Sequence, residues 1–158
     1  MNETLENGRP LGIAEMSARD EQHPSAPGGA LGPGSTRMLL LVIDDDVRSA
    51  RRLARMLDED GYDAEVLGNG TEALARLAQP PPPDAIVTDL VMPGASGIAV
   101  LGEARRRWPG IPVLFVTGHP ELLTQYPIPF EPSPIVFTKP LHYADFAARL
   151  REVIVRTH

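Results

Sequence analysis

The sequence predicts an α/β fold built on a parallel sheet with helices on both faces. Two observations carry that prediction. From Met38 onward, short apolar runs alternate with stretches whose apolar residues recur at helical spacing, and five such runs are met before the chain ends. The first run, Met38 to Ile43, lacks polar alternation, which suits a strand buried on both faces, and strand–helix alternation is how parallel sheets are wound.

Met38 to Ile43 is the first run and stops at three aspartates, Asp44 to Asp46. Val47, Ala50, Leu53, Ala54 and Leu57 then mark a helical stripe, with Arg48, Arg51, Arg52 and Arg55 on the solvent side, and Gly61 ends the helix. Tyr62 to Leu67 is the second strand, and Thr71 to Leu77 a short helix closed by Pro80 to Pro83. Asp84 to Thr88 is the third strand and leads to Asp89. Ser96 or Gly97 opens a helix with Ile98, Leu101 and Ala104 on one face. Ile111 to Val116 and Pro134 to Thr138 are the fourth and fifth strands. Tyr143, Phe146, Ala147, Leu150 and Ile154 give the closing helix its buried stripe. Between the last two strands, Pro127, Pro129, Pro132 and Pro134 leave room for only one or two helical turns, about Glu121 to Gln125.

Residues 1–37 are of another kind. Their prolines and glycines interrupt any apolar period, so they bury too little surface to offset ordering entropy and are expected to form a flexible, disordered extension. The domain is expected over residues 38–158, and Met38 is a candidate for the native start. The chain has 158 residues, a formal charge of -6 and no cysteine, which excludes disulfides and cysteine-ligated zinc. Its acidity argues against a nucleic-acid surface, and the absence of a long apolar stretch or secretory leader argues against a membrane span and for a cytoplasmic location.

In wound parallel sheets, sites lie beyond the carboxyl ends of the strands. That rule collects Asp44, Asp45 and Asp46 after the first strand, Asp89 after the third, Thr117 and Gly118 after the fourth, and Lys139 with Pro140 after the fifth. Singly, each has an ordinary reading: an aspartate after a strand is often a helix cap, as Asp46 would be, and a lone lysine is usually surface. Together, carboxylates that need a counter-ion, a hydroxyl and an ammonium suit a magnesium ion and an attacking aspartate.

With these residues in hand, the sequence resembles the receiver domain of two-component response regulators. The resemblance rests on LLLVIDDDVRSARRLARML, DAIVTDLVMPGASGIAVL, IPVLFVTG and IVFTKPL, in that order, and covers about residues 38–155. It implies a flavodoxin-like (βα)5 three-layer sandwich with strand order 2-1-3-4-5. It implies that Asp89 is phosphorylated and that Asp45, Asp89 and the Val91 backbone carbonyl bind Mg2+ directly, Mn2+ being a substitute. Asp44 would act through a bound water, and Thr117 and Lys139 would be the switch hydroxyl and the phosphate-binding lysine. Met92, Pro93 and Gly97 would shape the loop after Asp89, and the Lys139–Pro140 bond would be cis.

The sequence departs from the family in three places. Val136 stands where an aromatic switch residue is common, and Phe137 is expected in the core. Gly118 follows Thr117, leaving more room beside the phosphate. The proline-rich stretch from His119 to Pro134 gives a degenerate fourth helix. His119 and the Val91 position are ones that influence phosphate lifetime in receivers.

The expected partners are a sensor histidine kinase or histidine phosphotransfer protein, an unknown downstream protein and, compatibly, a second copy; no nucleic acid or membrane is expected. The expected chemistry is self-phosphorylation from a donor and slow autodephosphorylation, without turnover of an external substrate. Alternatives are a receiver cut from a larger hybrid kinase or regulator, or a phosphate sink without output. A dehalogenase-type phosphatase would want a second aspartate where Val91 stands, a pseudo-receiver would lack acceptor residues, and a DNA-binding regulator would need an effector domain that 158 residues do not accommodate.

Overall fold

A computed structural model of the chain describes residues 36–125, 128 and 130–158. The expected leader falls outside them as far as residue 35, as do Tyr126, Pro127 and Pro129 of the proline-rich stretch. The elements run β1 (Leu39–Ile43), α1 (Val47–Glu59), β2 (Asp63–Leu67), α2 (Gly70–Leu77), β3 (Ala85–Thr88), α3 (Gly97–Arg107), β4 (Val113–Thr117), α4 (Leu122–Gln125), β5 (Ile135–Thr138) and α5 (Tyr143–Thr157). The strands form one parallel sheet in the order β2-β1-β3-β4-β5, the flavodoxin-like order the sequence implies. Among the described residues no helix is long and apolar enough to cross a membrane.

Alternation along each strand divides the core in two. On β1, Leu41 and Ile43 face a layer made with Ala73 and Leu77 of α2 and Val100, Leu101 and Ala104 of α3. Leu40 and Val42 face the opposite layer, made with Ala50, Leu53 and Leu57 of α1 and Phe146, Leu150 and Ile154 of α5. Each large apolar side chain so buried contributes about 1.5 to 3 kcal/mol relative to exposure. Phe137 packs edge-on against Phe146, with ring centroids 5.3 Å apart, while Val136 on the other face of β5 is exposed.

The helix starts are fixed by side chains that satisfy free amides. Asp46 accepts from the Ser49 amide at 3.3 Å and Ser96 from the Ala99 amide at 3.2 Å. Asn69 accepts from Glu72 N–H at 2.8 Å, and the Glu72 carboxylate returns to Gly68 N–H at 3.1 Å. Losing a cap of this kind costs about 1 kcal/mol. Arg37, at the leader's end, donates to the carbonyls of Gly61 at 3.0 Å and Asp58 at 2.8 Å, clasping the α1–β2 turn.

Two local readings change, and the fourth helix is as short as expected. The fourth strand begins at Val113 rather than Ile111, because Ile111 N–H closes a turn on the Trp108 carbonyl. The buried face of α3 runs through Val100, Leu101, Ala104 and Arg105, with Ile98 only half-buried. α4 is a single turn with no buried residue, and its layer is completed by half-buried Leu122, Leu123, Ile128 and Phe130.

Candidate functional site

Asp44 and Asp89 stand one residue beyond β1 and β3, and their backbones continue the sheet. Asp44 N–H donates to the Leu67 carbonyl at 3.1 Å and Asp89 N–H to the Ile43 carbonyl at 2.9 Å. Both carboxylates therefore project from locked backbone at the carboxyl edge. Beneath Asp89, α3 starts so close that a β-carbon on Gly97 would overlap the Asp89 carbonyl oxygen. Only glycine permits that approach. Gly97 N–H donates to the Leu90 carbonyl at 2.9 Å, and buried Met92 anchors the intervening loop.

Lys139 reaches this edge from the end of β5, and the Lys139–Pro140 bond is cis. Its Nζ donates to Asp44 Oδ2 at 2.9 Å and to Asp89 Oδ2 at 2.8 Å. Asp89 Oδ1 accepts from Leu90 N–H at 2.6 Å and, weakly, from Val91 N–H at 3.4 Å. Asp44 Oδ1 accepts from Asp46 N–H at 2.9 Å. Asp45 is exposed beside them, and one carboxylate oxygen from each of Asp44, Asp45 and Asp89 lies within 4.8 Å of the other two.

Burial raises the pKa of Asp44; the Lys139 and Asp46 hydrogen bonds pull it down without cancelling that cost, and the nearby Asp89 charge adds to it. Burial alone would lower the pKa of Lys139, but its bonds to Asp89 and Asp44 outweigh this and the net direction is up. The two directions pull oppositely on one contact. The charge-assisted geometry at 2.9 Å decides for an ionised pair, with the burial cost carried by Asp44.

Of the remaining expected residues, Thr117 is fully buried at the end of β4, and its Oγ accepts from His119 N–H at 3.0 Å. Val91 is half exposed. Asp46 serves as the α1 cap, hydrogen-bonded to Ser49, which lowers its pKa. The exposed His119 ring pairs with Glu121 at 3.2 Å. Two features escaped the sequence reading. One is the direct Lys139–Asp44 contact at 2.9 Å. The other is Arg105, only 6 % exposed, whose Nε has no hydrogen-bond partner among the described residues. Its place four residues past Leu101, on the buried stripe, was the available signal.

Three carboxylates against one ammonium leave two negative charges in excess. Two unit charges about 5 Å apart repel by about 3 kcal/mol at an effective dielectric near 20. Hard oxygen donors with that surplus fit a divalent cation of the magnesium class. The donor set thus passes the test of fit, and the adjoining cavity of about 320 Å³, reached by Asp44, Asp89 and Lys139, also touches Arg52, Leu53 and Met56 of α1.

The response regulator receiver domain profile matches residues 40–126. The DNA-binding transcriptional regulator NtrC of Salmonella typhimurium is 37% identical over 86 residues, covering 54% of this chain and 18% of that protein. The response regulator MprA of Mycobacterium avium is 31% identical over 120 residues, covering 76% of this chain and 52% of that protein. Among solved structures, the receiver domain of the Francisella response regulator 1452 superposes with a TM-score of 0.66 at 27% identity, covering 77% of this chain and all of that one. The chain thus spans about half or less of the curated relatives it matches. A profile covering more than half of the sequence, on this sheet order, makes the chain a member of the response regulator receiver family of two-component systems.

Proposed function

We propose that this receiver accepts a phosphoryl group on Asp89 from the phosphohistidine of a sensor histidine kinase or histidine phosphotransfer protein, in the cytoplasm, and signals through contacts with another protein. The observation that carries the reading is the Lys139 ammonium bridging Asp44 and Asp89 at the carboxyl edge of the sheet.

Asp44, Asp45, Asp89 and the Val91 carbonyl would hold Mg2+, or Mn2+ in its place, Asp44 through a water. When bound, the ion neutralises charge on the phosphoryl oxygens and brings donor and acceptor together. An Asp89 carboxylate oxygen attacks phosphorus, the P–N bond to the donor imidazole breaks, and the imidazole leaves with the electron pair. Lys139 exchanges its contact with Asp89 Oδ2 for a phosphoryl oxygen. Thr117 Oγ already accepts from His119 N–H, so its own proton is available to a second phosphoryl oxygen. Slow attack of water on the acyl phosphate returns the carboxylate and inorganic phosphate.

Incubation with phosphoramidate and magnesium should add one phosphoryl mass to the intact chain and none to Asp89→Ala. Label on Asp44 or His119 instead would overturn the assignment. Magnesium titration should show one site that Asp45→Ala abolishes.

A further inference from the structure

The connection from β3 to α3, residues 89–97, carries the Val91 carbonyl that the functional reading gives to the metal. Both of its ends are hydrogen-bonded. Asp89 N–H lies in the sheet ladder, and Gly97 N–H donates to the Leu90 carbonyl at 2.9 Å. Its apex is not. Met92, Pro93, Gly94 and Ala95 take part in no hydrogen bond among the described residues. Met92 is buried, but Pro93 and Gly94 are exposed and Ala95 is half-buried. What the apex meets is the first turn of α2. A β-carbon on Gly70 would overlap the Ala95 carbonyl oxygen, and one on Gly94 would overlap Thr71 Oγ1. Loop and helix thus approach each other, from both sides, as closely as only glycine allows.

α2 is a firm wall for this contact. Asn69 caps it, the Glu72 carboxylate returns to the Gly68 amide, and Ala73 and Leu77 are buried in the core. A backbone carbonyl has no side-chain torsion with which to correct its aim, so the loop alone places it. Magnesium tolerates little error, because it demands near-ideal octahedral geometry. The wall against which the apex rests therefore governs how well Val91 meets the ion.

We propose that the first turn of α2, through Gly70 and Thr71, is a positioning element for the metal site: it fixes the apex of the β3–α3 loop and with it the Val91 carbonyl. The inference rests on the functional reading above, in which that carbonyl is a ligand. Gly70 and Thr71 touch no reacting atom and act only through the loop. Glycines that merely spared helix and loop a clash would cost stability when replaced, with no matching change at the metal.

The test measures magnesium affinity of the full chain by titration, beside urea unfolding and amide exchange without metal. Gly70→Ala should weaken magnesium binding by about tenfold or more. In the metal-free chain it should also speed exchange of the Gly97 amide. Gly68→Ala lies in the same connection, but its β-carbon meets nothing closer than Val47 Cγ2 at 3.5 Å, and it should do neither. Gly94→Ala should weaken magnesium binding as well. Adding Thr71→Ala removes the obstructing oxygen and leaves the residue 71 β-carbon at 3.6 Å, so affinity should return. Stability should stay below that of the unmodified chain, because alanine is still held at a left-handed φ of +79°. Undiminished affinity in a folded Gly70→Ala chain, or failure of Thr71→Ala to restore Gly94→Ala, would overturn the proposal. If Gly70→Ala does not fold, the Gly94 pair decides alone. An unmodified chain that binds no magnesium would overturn the functional reading itself, and this inference with it.

Discussion

The loops that leave β1 and β3 and the segment that leaves β4 solve the same connection in opposite ways. After β1 and β3, Asp44 and Asp89 remain in the sheet's hydrogen-bond ladder, and the helices that follow start on the Asp46 and Ser96 caps. After β4, α4 is one turn whose amides close on carbonyls three residues back, from Leu122 to His119 and from Leu123 to Pro120. A turn of that length has no stability of its own. It is held by half-buried side chains, among them Phe130, whose ring meets α3 beside Gly102. Like charges are gathered where backbone geometry is over-determined, and the chain is left irregular where it only has to cover apolar surface.

The largest effect should come from the first region. Lys139→Ala removes the cation between Asp44 and Asp89 and should slow phosphorylation by phosphoramidate by about a hundredfold. Magnesium affinity should persist, since the ammonium competes for the same carboxylates. A rate near that of the unmodified chain would mean that this locked geometry is not what serves the chemistry.

The same substitution made in both regions gives the sharpest contrast. Gly97→Ala drives a β-carbon into the Asp89 carbonyl and should cost about 2 to 3 kcal/mol in urea unfolding. Gly118→Ala meets nothing within 4 Å and should stay within about 0.5 kcal/mol. Equal costs would remove the distinction between the regions.

Phe130→Ala should cost about 1 to 2 kcal/mol, less than a fully buried phenylalanine. It should speed amide exchange in Leu122–Gln125 without altering phosphorylation. Those amides should exchange far faster than the amides of α1 and change their protection when beryllofluoride mimics the phosphoryl group. With Val136 exposed where an aromatic is common in the family, an irregular segment tied to Thr117 through the His119 amide is the available relay. Identical protection in the two states would rule that relay out.

The smallest effect belongs to the regular helix beside that segment. Arg106 and Arg107 hold the Glu103 pKa down to about 2. A depressed folded pKa stabilises above the unfolded value near 4.5 and is lost as pH falls toward about 2. Glu103→Gln should remove that slight slope from the melting temperature across this window, and an unchanged slope would mean that solvent screens the pair out.

The fold was legible because most strands are apolar runs set between helical stripes, and the site residues stand at or just beyond strand ends. Asp44, Asp89 and Lys139 needed only the rule that sites gather at carboxyl edges. What stayed hidden depends on distance and packing. The bonds of Lys139 join residues 95 and 50 positions apart, and no local pattern reports which carboxylate an ammonium will choose. Arg105 drew no notice because a charged residue on a buried stripe looks like solvent face until its surroundings are known. The apolar content around Phe130 was visible, but its seat against α3 was not, since prolines erase the period that would orient it.

A five-stranded sheet that does not close has two open edges, and both are unattractive to a foreign strand. β5 is four residues long, preceded by Pro134 and followed after Lys139 by Pro140, neither of which has an amide to donate. β2 carries Asp63 and Glu65 along its length. Short, proline-bounded or charged edges resist strand addition between molecules. A protein organised this way can be abundant and repeatedly perturbed at its acidic end while its sheet stays solitary, so association has to come through chosen helical surfaces rather than through its own exposed backbone.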